Sequence, residues 1–206
     1  MTADFASEDP DSSLLTSIGA RFDHVAVAGP SLAALVAFYR DTLGGEYLYG
    51  EVLPVGAIVA TFTIGTGRVE LMAPTPGSSF FDRFFESTAG RGGVHHLTFF
   101  VDDVDVAAAA LTARGIATFG LKHITQWSEV FIHPRGNGGV LVQLAKVGDH
   151  SGITWATLED LLVAQRSDEN RTEVSESTTP GQTRAPRVSS LPGPTSAPSP
   201  TTTPSR

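Results

Sequence analysis

The sequence predicts an α+β protein made of two tandem modules, each a strand, a helix and three further strands. Three observations predict it. Period-two alternation of apolar and polar residues recurs in short runs between residues 22 and 146, as half-buried strands require. A helical apolar stripe follows the first strand of each set. The whole order then runs twice, over about 20–75 and 92–147, and an internal repeat of this kind sets the architecture.

The elements follow in order. "FDHVAVA" (22–28) alternates as a strand. "SLAALVAFYRDTLGG" (31–45) is helical, with Ser31 as N-cap, a stripe of Leu32, Leu35, Phe38 or Tyr39 and Leu43, and a stop at Gly44 or Gly45. "EYLYGEVLP", "AIVATFTIG" and "RVELMAP" follow as strands parted by glycine and proline. A short helix, "SSFFDRFFEST" (78–88), bridges to the second module. There "VHHLTFFV" is a strand and "DVDVAAAALTARG" (103–115) a helix ending at Gly115. Strands near 118–121, 125–133 and 140–146 come next, and "TWATLEDLLVAQR" (154–166) is a last helix.

The chain of 206 residues therefore divides into a flexible N-terminal arm (1–19), a two-module domain (20–148), a C-terminal helical segment (149–166) and a tail (167–206). The tail holds more than half of the 13 prolines and almost no large apolar residue. It cannot bury enough surface to offset the entropy of ordering, so disorder is expected there. There is no cysteine, which excludes disulfides, thiolate metal sites and a cysteine nucleophile. A net charge of −8 opposes contact with phosphate backbones, so no nucleic-acid partner is expected. No apolar run is long enough to cross a bilayer, and the acidic start "MTADFASEDPDSSLL" lacks the basic residues of a signal peptide. A cytoplasmic protein without membrane contact is the expectation.

Strand parity singles out four polar residues. His24 faces away from Val25 and Val27, Glu70 away from Val69 and Leu71, His96 away from Leu97 and Phe99, and Gln143 away from Val142 and Leu144. Glu70 follows His24 by 46 positions and Gln143 follows His96 by 47. If the modules pack with pseudo-two-fold symmetry, the four converge. Two imidazoles, a carboxylate and an amide oxygen suit a divalent ion such as Co, Mn, Ni, Zn or Fe, with open positions for a substrate. Hydrogen-bonded core histidines are the bland alternative. Against it stands Glu70, a carboxylate among Val69, Leu71 and Met72 that is costly to bury unless paired or metal-bound. His95 has the opposite parity to His96 and is expected on the helix-facing side or near the strand edge, as a packing residue.

The segments "FDHVAVA", "FYRDTLGG", "VELMAP", "GGVHHLTFFVDDVDVAAAALTARGI" and "FIHPRGNGGVLVQL" resemble the vicinal oxygen chelate superfamily of glyoxalases, extradiol dioxygenases and bleomycin resistance proteins. Within it they are most similar to methylmalonyl-CoA epimerases. The resemblance covers about residues 21–147. It implies two βαβββ modules with cupped mixed sheets around a metal, a glyoxalase-like fold, with His24, Glu70, His96 and Gln143 as ligands. It also implies a small-molecule substrate and a homodimer.

Two departures stand out. The epimerase pattern has Gln where Glu70 stands and Glu where Gln143 stands, so the pair is exchanged. It also has a further glutamate at the position of Val59, and Glu51 or Glu129 is the available substitute, each otherwise a solvated surface carboxylate.

The resemblance implies a metal-dependent enzyme that polarises a substrate carbonyl while a carboxylate takes the adjacent C–H proton. Glu70 is the candidate base. The reaction expected is an epimerisation or isomerisation on a malonyl-type acyl-CoA. A glyoxalase-like lyase or an extradiol-type dioxygenase is the alternative, and a metal-free drug-binding or resistance protein is the alternative of another class. Phe100, Trp127 and Phe131 offer an aromatic pocket or core packing. Lys122, Arg135 and Arg91 offer cations for phosphates or plain surface charge. "HPRGNGG" (133–139) reads as a turn, because no helix follows it to make a phosphate site.

Overall fold

The computed structural model describes residues 13–135 and 137–166. The expected disordered tail and the first twelve residues of the expected arm lie outside the described residues. The strands are β1 (Arg21–Ala28), β2 (Glu46–Leu53), β3 (Ala57–Ile64), β4 (Gly67–Pro74), β5 (Gly93–Phe100), β6 (Thr118–His123), β7 (Trp127–Ile132) and β8 (Leu141–Val147). The helices are α1 (Leu14–Ser17), α2 (Leu32–Val36), α3 (Asp82–Ser87), α4 (Val104–Ala113) and α5 (Leu158–Arg166).

The eight strands form one curled sheet in the order β2-β3-β4-β1-β5-β8-β7-β6. Each module is an antiparallel run closed by one parallel pair, β1 with β4 and β5 with β8. The modules join through an antiparallel β1–β5 pair. The strand order is the same read from either end, so a pseudo-two-fold axis passes between β1 and β5. This is the predicted α+β fold of two βαβββ modules.

The alternation read from sequence separates two faces. On the convex face, Val69, Leu71, Ile58, Ala60 and Phe62 pack under Leu32 and Val36 of α2 and Leu161 of α5. In the second module, Val130 and Leu144 pack under Val104, Ala107 and Leu111 of α4. The concave face of the first module carries Ala26, Ala28, Val59 and Met72, covered at one end by Phe81 with Phe84 and Phe85 of α3.

The structure refines several boundaries. Residues 13–19, within the expected arm, carry a helical turn: Ser13 caps α1 through Thr16 N, and Ile18 is buried in the second module's core. The first long helix begins at its expected Ser31 cap but widens into a π-helical turn over Ala37–Thr42. It ends at Gly44, whose positive φ of 74° reverses the chain at little steric cost. The last helix starts at Leu158 rather than 154, because Thr157 and Asp160 form a reciprocal cap: Asp160 N donates to Thr157 Oγ1, and Thr157 N to Asp160 Oδ2. Its Leu161 lies over Gly50 of β2, where any side chain would collide with both Leu161 and the Val59 carbonyl. No helix among the described residues is long and apolar enough to cross a membrane.

Candidate metal centre

Two bulges at the β1–β5 junction shape the site. Phe22 pairs with Phe99 and His24 with Thr98, which leaves Asp23 as an extra residue on β1. Ala26 pairs with His96 and Val27 with Val94, which leaves His95 as an extra residue on β5. A bulge re-aims the side chain of its extra residue. Here each turns the residue before a histidine onto that histidine. Asp23 Oδ2 lies 2.8 Å from His24 Nδ1, and His95 Nδ1 lies 2.9 Å from His96 Nδ1. The His95 ring also packs edge-on against Phe81 and Phe84. Parity had placed it with Leu97 and Phe99; the bulge is why it meets the bridging helix instead.

With Nδ1 engaged on both histidines, Nε2 is the remaining ring nitrogen of each. The two rings stand 5.9 Å apart, centroid to centroid. His24 Nε2 is buried, has no hydrogen-bond partner, and lies 3.9 Å from Glu70 Oε1. One donor atom each from His24, Glu70 and His96 falls within a 4.8 Å circle of mutual distances. Donors that close can share one ion at bond lengths of about 2.0–2.2 Å after small side-chain adjustment. The set is two imidazoles and a carboxylate, which suits divalent first-row metals. An orphaned buried nitrogen is costly unless something binds it, so these residues fit a cation.

Electrostatics agree with that fit. Burial pushes the Glu70 carboxyl above its usual range, partly opposed by His24, and the charges of Asp23, Glu51 and Glu129 push the same way as burial. Burial, with His95 and His24 nearby, drives His96 down to about 3, opposed in part by the neighbouring Gln143 amide. His96 is therefore held neutral, the state a metal ligand needs. Asp23 also takes Arg68 Nη1 at 2.7 Å on its other oxygen, so an Arg68–Asp23–His24 chain fixes the imidazole, in the manner of outer-shell carboxylates at metal sites.

The fourth residue expected from sequence, Gln143, is buried beside His96. Its Oε1 accepts from Thr98 Oγ1 at 2.8 Å, and its Nε2 donates to Glu129 Oε2 at 2.8 Å. The same Glu129 oxygen accepts from Trp127 Nε1 at 2.9 Å. Phe100 meets Trp127 edge-to-face at 5.9 Å, on the side of the sheet that carries His96. Arg135 is exposed in the turn after β7 and makes no side-chain hydrogen bond or ion pair among the described residues. Glu51 is exposed on β2, directly across from Val59. Asp23 and Thr98 were not picked out by sequence reading. The signal for Asp23 was its adjacency to His24, and for Thr98 its shared parity with His96.

Comparison with known proteins agrees with this architecture. Residues 23–129 match the family described as the Glyoxalase/Bleomycin resistance protein/Dioxygenase superfamily. The mitochondrial methylmalonyl-CoA epimerase of Mus musculus is 33% identical over 144 residues, covering 67% of this chain and 79% of that protein. The methylmalonyl-CoA epimerase structure from Mycobacterium tuberculosis is 26% identical, with a TM-score of 0.55, covering 67% of this chain and 92% of that one. A structure of methylmalonyl-CoA epimerase in complex with methylmalonyl-CoA and NH4+ is 29% identical, with a TM-score of 0.53, covering 62% and 94%. With its two βαβββ modules, and with more than half of its length matched, this chain belongs to the glyoxalase, bleomycin resistance protein and dioxygenase superfamily.

Proposed function

We infer that the protein is a divalent-metal-dependent epimerase acting on the carbon beside the thioester carbonyl of a malonyl-type acyl-CoA. The observation that carries this reading is the cluster of buried His24 and His96 with half-buried Glu70, and its unpartnered His24 Nε2. The similarity to methylmalonyl-CoA epimerases favours this substrate class over a hemithioacetal or a catechol. A drug-sequestering role without metal gives the orphaned nitrogen nothing to bind.

His24, Glu70 and His96 would hold the ion, with Gln143 beside them. When bound, the ion supplies polarisation of the substrate carbonyl, which makes the adjacent C–H acidic. The chain supplies the rest. Asp23 keeps the proton on His24 Nδ1, so that Nε2 presents its lone pair. His95 constrains His96 in the same way. Glu70 is the carboxylate nearest the ligand nitrogens and serves as the base for the α-proton. Phe100 and Trp127 flank the acyl group, and Arg135 meets the phosphates of the coenzyme. This reading carries the expectations of a cytoplasmic homodimer.

Elemental analysis of the purified wild type and of His96→Ala tests it, alongside solvent-deuterium exchange into methylmalonyl-CoA. One ion per chain and α-deuteration are expected for the wild type, with both lost in the variant. Stoichiometric metal in His96→Ala would count against the site.

A further inference from the structure

The registers of the two modules assign equivalent positions. On β4, Glu70 pairs with Thr61, and Met72, two residues on, pairs with Val59 of β3. On β8, Gln143 pairs with Phe131, and Ala145, two residues on, pairs with Glu129 of β7. Glu70 therefore corresponds to Gln143, and Val59 to Glu129. The carboxylate of the first module sits on its parallel strand, and that of the second sits one strand farther out. Val59 is buried in the apolar wall formed with Ala26 and Met72, and brings no polar atom.

Inverting a carbon through an enolate needs a proton removed on one face and another delivered on the opposite face. A single carboxylate fixed on one side exchanges the proton but returns it where it came from. A second acid is required across the substrate. Asp23 is committed to His24 and Arg68. Glu51 is exposed on the outer strand, and its side chain makes no hydrogen bond among the described residues. Glu129 is half-buried and anchored: one oxygen accepts from both Trp127 and Gln143, and Gln143 in turn accepts from Thr98, two residues along β5 from His96. Its other oxygen makes no hydrogen bond among the described residues.

Resting on the epimerase reading above, we propose that Glu129 is the second proton-transfer group, working from the second module opposite Glu70 of the first. In one direction Glu70 takes the α-proton as the C–H bond breaks, and protonated Glu129 gives its own proton to the other face as the new C–H bond forms. The reverse direction exchanges the two roles, and solvent restores the starting protonation between turnovers. Val59 leaves the first module without such a group, and Glu129 supplies it at the related place.

Glu129→Gln tests this, because an amide keeps an acceptor for Trp127 and nearly the same volume. Metal content is measured by elemental analysis, and each epimer of methylmalonyl-CoA is assayed for epimerisation and for solvent-deuterium uptake. Wild-type metal content is expected, with epimerisation lowered ~100-fold or more while one epimer still takes up deuterium and the other does not. Glu129→Asp, which keeps the carboxylate, is expected to epimerise at least ~10-fold faster than the Gln variant, on the same general-acid contribution. The proposal is overturned if Glu129→Gln epimerises within ~3-fold of wild type, if it loses its metal, if both epimers lose exchange equally, or if Asp is no better than Gln. Wild-type protein that exchanges neither epimer would instead defeat the epimerase reading, and this inference with it.

Discussion

His24 Nε2 lies 3.9 Å from Glu70 Oε1, buried and with no hydrogen-bond partner. The pair is held by strands of one module, β1 and β4, which run parallel with Ala26 opposite Glu70. A nitrogen lone pair and a carboxylate oxygen this close attract a cation. Replacing Glu70 by Gln should lower divalent-metal affinity by at least ~10-fold, since ligand charge is lost. The metal-stripped variant should be more stable than metal-stripped wild type at neutral pH, because no buried carboxylate is then ionised. Chelator competition and urea unfolding with and without metal check both halves.

The pH dependence of the metal-stripped protein follows from burial acting in opposite senses on Glu70 and on the imidazoles of His96 and His95. Burial raises Glu70, so its contribution is present below its unfolded value of 4.5 and fades as pH rises through the higher folded value. Burial lowers His96 from 6.5 to about 3, so its contribution is present above 6.5 and fades as pH falls toward 3. Just above pH 4.5 the Glu70 slope offsets that of one imidazole. Below it the buried imidazoles act unopposed, and stability should fall by at least about 1.4 kcal/mol per pH unit. In Glu70→Gln the same slope should already appear from pH 6.5 downward. Urea unfolding across pH 3–7 measures it.

Asp23→Asn should weaken metal binding by about 10–100-fold, the usual loss when an outer-shell partner of a ligand histidine is removed. The effect runs through His24, whose Nδ1 loses a charged acceptor, and through Arg68, which loses its ion pair. Competition with a metal indicator dye reads the affinity.

Thr98→Val removes the donor to Gln143 Oε1 in a fully buried setting. An unsatisfied buried acceptor costs about 1–3 kcal/mol. Urea unfolding should show that loss, while His24, Glu70 and His96 keep their metal.

Leu161→Ala tests how far α5 belongs to the domain. Leu161 is fully buried between α2 and the sheet, and such truncations cost about 2–5 kcal/mol. A loss in that range is expected in thermal or urea unfolding. A shift under 0.5 kcal/mol, the range of surface substitutions, would show α5 to be an appendage.

Much of this was legible in the sequence because strand parity is a strict period of two. Val25, Val69, Leu97 and Val142 fell on one face and His24, Glu70, His96 and Gln143 on the other, as the registers have it. Parity fails where a strand takes in an extra residue, and nothing in "FDHV" or "GVHH" marks the bulges at Asp23 and His95. Both outer-shell contacts depend on those bulges. From sequence, Glu129 reads more readily as a solvated surface carboxylate than as a substitute for the missing glutamate. Its place in the repeat depends on which residue of β8 it meets, and Glu129 and its partner Ala145 are three residues farther apart in sequence than Val59 and its partner Met72. The repeat therefore does not align by counting. The cap at Thr157 and Asp160 was legible as a spaced Thr and Asp, and the helix start at 154 overlooked it.

The pairing of β1 with β5 has one more consequence. Both halves of the cluster are contributed by the same polypeptide, so the three donors meet by folding alone. Diluting the protein, or mixing it with an inactive copy, leaves each site as intact as before. Its occupancy should track the concentration of metal and be indifferent to that of the protein.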